Sequence, residues 1–260
     1  MENGNGLSLS QTLECGQCFR WERKEDGSYS GVAGGRRLRI SEQSLPEALK
    51  DPFWAHYFDM ERDYGAIRGH LCGKDPVLAE AAAYAPGIRI LNQDPWETLC
   101  SFILSQANNI PRIRGIVGKL CRLCGPEIDG GFRAFPSAED MASLSEADLR
   151  AAGCGFRAGY VLDAARRTAS GELDFSRLRG MPLEEAREKL TAVSGVGPKV
   201  ADCTLLYGLH RLDAFPMDVW MKRAMKRLFP GKTPAFFGSY AGVAQQYIFH
   251  YSRNHPDLFK

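Results

Sequence analysis

The chain comprises 260 residues, 44% of them hydrophobic, a globular composition able to bury a sizeable core in one large domain or two modest ones. With 33 Lys and Arg against 31 Asp and Glu, the net charge of +2 does not by itself mark a polyanion partner. No apolar run approaches membrane-spanning length and residues 1–10 are polar and Gly-rich, so a soluble, unexported, cytoplasmic protein is expected.

Short β-leaning runs at 18–21, 29–33 and 37–40, separated by Asp26-Gly27 and Gly34-Gly35 turn signals, predict an antiparallel meander. Helical patterns follow at 44–49, 64–71 and 76–84, then an extended stretch at 87–91 before Asp94 and Pro95 open another helix. Beyond that point the pattern is almost wholly helical, with helices expected at 95–106, 111–123, 137–144, 145–152, 158–170, 182–193, 198–209, 219–228 and 240–251. This predicts an α+β chain: a small N-terminal domain with an antiparallel sheet over 1–90, and a larger all-α domain over 91–260.

The most informative stretch lies between 183 and 218. A helix with apolar residues at Leu183, Ala186, Leu190 and Val193 runs into Gly195-Val196-Gly197, and Pro198 suits the first position of a second helix. That is a helix-hairpin-helix. Gly195 and Gly197 let the backbone take positive φ and approach a ligand, and the free N–H groups opening the second helix, Val200 among them, form an anion site suited to a nucleic-acid phosphate. Lys199 lies in the first turn, where the helix dipole disfavours its ammonium form; a free amine can attack carbon and form a Schiff base. A helix over 198–209 advances roughly 15–18 Å, and the extended residues 211–217 reach back about 23 Å. Asp218 can therefore return beside Lys199, at the N-cap of the next helix, where its carboxylate is expected to stay anionic.

Taken singly, the hairpin reads as a helical turn, Lys199 as a solvated charge and Asp218 as a cap; together they suit glycosidic-bond cleavage. Between 219 and 260 there are seven basic residues and one acidic residue, Asp257, so this end is suited to phosphates as well as to plain solvation. The cysteines at 15, 18, 72, 100, 121, 124, 154 and 203 lack the dense spacing of a secreted disulfide scaffold, which points to a reducing interior. Cys15-x2-Cys18 and Cys121-x2-Cys124 could supply zinc thiolates, but each pair has its own local explanation and no metal site is expected.

Four separated motifs carry a resemblance over essentially the whole length: Glu14-Cys15-Gly16-Gln17-Cys18-Phe19-Arg20-Trp21; Gln93-Asp94-Pro95 through Asn108-Asn109-Ile110-Pro111-Arg112-Ile113; Gly155-Phe156-Arg157-Ala158-Gly159-Tyr160-Val161; and Gly195 through Cys203 with Asp218. The chain resembles the helix-hairpin-helix glycosylase superfamily, and within it the 8-oxoguanine DNA glycosylases, bacterial branch. The resemblance implies that double-stranded DNA containing 8-oxoguanine is the partner, that the lesion is flipped out, and that Lys199 displaces the base and bonds to C1′ before β-elimination, with Asp218 assisting. It further implies that the backbone carbonyl of Gly16 accepts the N7–H peculiar to 8-oxoguanine, that Phe249 and Cys203 sandwich the purine, and that Gln245 reads its Watson–Crick edge. Asn108, Arg112, Phe156 and Arg157 match wedge and opposite-strand contacts.

Ala107 stands where eukaryotic members carry an asparagine that reads the opposite cytosine, Phe156 replaces their tyrosine and Trp220 their histidine, so a strict preference for cytosine is not implied. Relatives of endonuclease III carry four cluster-binding cysteines after the catalytic aspartate, whereas here no cysteine follows Cys203; an alkylbase glycosylase would lack Lys199. No iron–sulfur cluster or other cofactor is expected, with room for a structural monovalent cation at the hairpin. A monomer associated with the bacterial nucleoid is expected, and the alternatives are a non-catalytic DNA-binding module or a glycosylase for another damaged base.

Overall fold

In the computed structural model, which describes residues 6–259, helix α1 (Leu9–Leu13) precedes an antiparallel sheet of β1 (Trp21–Arg23), β2 (Tyr29–Ala33) and β3 (Arg36–Ile40), in that spatial order. Trp21 pairs with Gly31 and lies across it: a Cβ at 31 would sit 2.3 Å from Cδ2 of the indole. The indole nitrogen donates to the Tyr57 hydroxyl at 2.8 Å, and a small core of Trp21, Trp54, Tyr57 and Phe58 closes over the sheet.

The sheet begins at Trp21, later than the run at 18–21 suggests. Arg20 turns away to pair with Glu97 at 3.5 Å and to donate to the carbonyl of Arg133, and Phe19 points into the helical core.

Helices α2 (Leu45–Ala48), α3 (Pro52–Tyr57), α4 (Tyr64–Cys72) and α5 (Pro76–Tyr84) follow. Then come α6 (Pro95–Leu104), α7 (Ile110–Cys124), the short strands β4 (Glu127–Ile128) and β5 (Phe132–Arg133), α8 (Ala138–Ala142), α9 (Glu146–Ala151), α10 (Ala158–Ala169), α11 (Phe175–Gly180), α12 (Leu183–Thr191), α13 (Pro198–Cys203), α14 (Val219–Leu228) and α15 (Ala241–Asn254). The chain is α+β, as its patterning implies. Many helix starts are fixed by short polar side chains: Asp51, Asp63, Asp75, Asp94, Asn109, Ser137, Ser145, Asp174 and Asp218 each accept a hydrogen bond from the first turn they cap.

The main hydrophobic core runs across the change of pattern near residue 90. Tyr64, Ile67, Leu71 and Leu78 share one cluster with Leu99, Ile103, Leu190, Leu205 and Ile248. Helix α15, last in the sequence, packs on α5 and thereby brings the C-terminal segment beside residues 14–16. Among the described residues no helix is long and apolar enough to cross a membrane.

The second hairpin helix departs from its expected form. Regular α-helix ends at Cys203 and the turn Thr204–Gly208 is π-helical, buried throughout. A Cβ at Gly208 would meet Pro95 Cα at 2.8 Å, so this wider turn lies hard against the start of α6.

Candidate active site

Helix α13 opens with Gly197 at its N-cap and no side chain closing the end, so its first N–H groups remain open to a ligand. Gly195 takes φ +73°, as expected, and a Cβ there would overlap the Tyr160 ring at 2.2 Å. Gly197 does not share that conformation: its φ is −88° and ψ 176°, extended backbone open to any residue, with nothing within 4 Å of an added Cβ. Asp163 on α10 braces the hairpin by accepting from Ser194 N at 2.9 Å.

Lys199, in the first turn of α13, is half-buried. Its Nζ lies 3.3 Å from Ser105 Oγ and 4.6 Å from the centre of the Phe102 ring. The Ser105 hydroxyl is committed as donor to the Phe102 carbonyl at 2.7 Å, which leaves its lone pairs for the lysine. Phe102 is held edge-on by Phe19 at 5.5 Å and stacked on Tyr207 at 5.4 Å. Asp218 caps α14 by accepting from Met221 N at 2.7 Å. Burial pushes the pKa of the Cys203 thiol up to about 11; Lys199 pulls it down, while Asp202 and, less strongly, Asp218 add to the rise.

Lys199 opens into a cleft of about 410 Å³ whose walls include Gly16, Phe19, Phe102, Ser105, Asn108, Ile110, Phe249 and Arg253, a volume within the range of small-molecule sites. Gly16 is in the left-handed region at φ +88° and faces the Phe249 ring, whose Cε1 would lie 3.9 Å from an added Cβ. A web of buried amides holds this corner. Gln17 donates to Thr12 O at 2.9 Å and Arg89 O at 2.7 Å and accepts from Leu91 N at 2.9 Å. Gln246 donates to Cys15 O at 3.0 Å and accepts from the Tyr207 hydroxyl at 2.6 Å. Sequence reasoning gave none of Gln17, Gln246, Ser105 or Phe102 a role, because a buried amide or hydroxyl carries no periodic signal of its burial.

Of the residues expected at the site, the structure gathers Gly16, Asn108, Lys199 and Phe249 around one cleft. Cys203 and Gln245 are buried, Gln245 with its Oε1 3.5 Å from the Tyr207 hydroxyl. Phe156 and Arg112 are exposed on the surface, the former at 55%. The Val200 side chain is buried in the core, which leaves its backbone N–H, the group expected to meet a phosphate, at the open end of α13. One expected DNA contact takes another form: Arg157 is buried, with its guanidinium turned onto the carbonyls of Gln106 and Ala107. On α14, Lys222, Arg223, Lys226 and Arg227 are all exposed, a basic face beside the cap at Asp218.

A glycine-bearing hairpin, a lysine on its second helix and an aspartate capping the next define a class that the comparisons identify. Residues 100–235 match the HhH-GPD superfamily of base excision DNA repair proteins. Residues 2–99 match the N-terminal domain of 8-oxoguanine DNA glycosylase, and the chain belongs to that family. A relative from Saccharomyces cerevisiae named N-glycosylase/DNA lyase is 42% identical over 86% of this chain and 69% of its own length. One from Methanothermobacter thermautotrophicus, named probable N-glycosylase/DNA lyase, is 32% identical over 85% of this chain and 80% of its own. The solved Clostridium acetobutylicum 8-oxoguanine glycosylase/lyase, in complex with duplex DNA carrying cytosine opposite 8-oxoguanine, superposes with a TM-score of 0.86 at 35% identity, covering 97% of this chain and 93% of that one.

Proposed function

We propose that this protein removes 8-oxoguanine from duplex DNA and cleaves the strand at the resulting abasic site, with Lys199 as nucleophile and Asp218 as its electrostatic partner. The observation that carries this reading is the opening of Lys199 into the cleft that also holds Gly16 and Phe249. The names of its relatives support the same pair of activities.

The target nucleotide leaves the stack because its glycosidic carbon is otherwise out of reach, and the exposed Phe156 ring serves as the apolar wedge beside the gap. The lone pair of Lys199 Nζ attacks C1′, and the N-glycosidic bond breaks with its electron pair passing to the base. The base leaves after gaining one proton as the lysine nitrogen loses one. Opening of the sugar ring gives the C1′ Schiff base; loss of a C2′ proton then expels the 3′ phosphate by β-elimination, and water frees the lysine. The Asp218 carboxylate offsets positive charge on the sugar and takes part in the proton transfers.

Discrimination rests on the Gly16 carbonyl, which accepts from the N7–H of the oxidised base and repels the N7 lone pair of guanine. Phe249 and Cys203 flank the purine plane. Gln245 is proposed to read the outer edge through its amide, whose Oε1 lies 3.5 Å from the Tyr207 hydroxyl.

Borohydride trapping on duplex DNA carrying 8-oxoguanine tests the reading. The wild-type protein is expected to give a covalent adduct that Lys199→Gln abolishes; absence of an adduct from the wild type refutes it.

A further inference from the structure

The steps above make no use of the buried guanidinium of Arg157, at 3% exposure. Its Nε donates to Gln106 O at 2.8 Å, Nη2 to Ala107 O at 3.1 Å and also to Gln106 O, and Nη1 to Cys154 O at 3.4 Å. Four of the five N–H donors of an arginine are thus spent on backbone carbonyls. Its face lies 4.2 Å from the centre of the Phe156 ring.

The backbone it holds is unusual. Ala107 has φ +47°, a left-handed conformation that disfavours an L side chain by roughly 5- to 30-fold. Ala107 has no polar side-chain atom with which to stabilise that turn. On either side of it the chain forms the cleft: Ser105, within 3.3 Å of Lys199 Nζ, precedes it, and Asn108 follows, bonded back to Leu104 O at 3.0 Å. Asn109 then caps α7 by accepting from Arg112 N at 3.0 Å.

We infer that Arg157 is a positioning residue: it clamps the left-handed turn between α6 and α7 and so sets Ser105 and Asn108 around Lys199, while holding Phe156 against the same guanidinium. A bidentate fork is required because two successive carbonyls must be fixed together, which an ammonium does not do. The inference rests on the reading of the cleft as the excision site, and its readouts are chosen to stand apart from that reading.

In the free protein, hydrogen exchange across 105–110 is expected to quicken in both Arg157→Gln and Arg157→Lys; unchanged exchange overturns the inference whatever the reaction proves to be. On lesion duplex, both variants are expected to slow single-turnover excision about tenfold with the salt dependence of DNA binding unaltered. Adding Ala107→Gly to Arg157→Gln is expected to restore the rate to within about threefold of wild type, since glycine adopts the turn without a Cβ penalty. Full activity in Arg157→Lys, or a salt slope lowered by about one in Arg157→Gln, would instead mark a direct phosphate contact. Failure of Ala107→Gly to rescue would show that the turn is not what Arg157 supports. Should the wild type itself prove inactive on the lesion, the function is refuted while the exchange experiment still decides the clamp.

Discussion

The two hairpin glycines differ enough in surroundings that alanine at each gives opposite outcomes. At Gly195 the backbone is left-handed at φ +73° and an added Cβ would lie 2.2 Å from Cδ2 and 2.3 Å from Cγ of Tyr160. The conformational penalty is roughly 1–2 kcal/mol, and relieving an overlap with an aromatic ring adds about 1–3 kcal/mol. Tyr160 cannot retreat freely, since it lies on α10, which is tied to the hairpin through Asp163 and Ser194. Gly195→Ala is therefore expected to lower stability by about 2–5 kcal/mol, and the melting temperature by roughly 4–20 °C. At Gly197 the extended backbone and empty surroundings make alanine nearly neutral for folding, within about 0.5 kcal/mol. That methyl group would nevertheless stand at the open end of α13, where a phosphate must approach closely. Gly197→Ala should weaken binding to undamaged duplex DNA while leaving the melting temperature almost unmoved. Thermal melts and fluorescence-anisotropy titrations read the two quantities. Equal destabilisation by both variants, or a Gly195→Ala protein as stable as wild type, would refute the packing account.

Gln17→Leu removes three hydrogen bonds to the backbone at Thr12, Arg89 and Leu91, so urea unfolding should show a loss of about 2–5 kcal/mol; a loss below about 1 kcal/mol would show that the amide web does not hold this corner. Burial raises the Glu97 carboxyl to about 7, with Arg20 opposing the rise. Its folded-state value lies above the unfolded one, so the stability it contributes is present in acid and is lost as pH rises through about 7. Between pH 5 and 8 the wild type should lose up to roughly 3 kcal/mol relative to Glu97→Gln, and parallel pH profiles for the two proteins would contradict this. Phe156→Ala removes a largely exposed ring and should leave stability within about 0.5 kcal/mol, yet slow excision from duplex on the order of tenfold through lost stacking at the gap. An equal loss on single-stranded substrate would argue against a wedge.

Much of the architecture was legible because its signals are local. Asp94-Pro95 and Asp218-Val219 announce helix starts through short-range cap chemistry, and the caps form where expected. Gly-Val-Gly followed by proline marks the hairpin, although only Gly195 needs the left-handed region that both glycines were expected to use. The π-helical turn after Cys203 had no such signal, since it answers to the close approach of Gly208 and Pro95, 113 positions apart in the chain.

The site divides in the same way. Residue types and short spacings fixed the hairpin, the amine at 199 and the capping carboxylate at 218, because helix ends and anion sites depend on a few consecutive residues. Tertiary structure alone decided that Ser105 and Phe102 lie under Lys199, that α15 closes on Gly16 through Gln246 and Cys15, and that Arg157 faces inward onto carbonyls instead of outward. Those outcomes turn on which polar groups are removed from water together, and a buried arginine or glutamine is satisfied by backbone atoms from distant segments that no local pattern records.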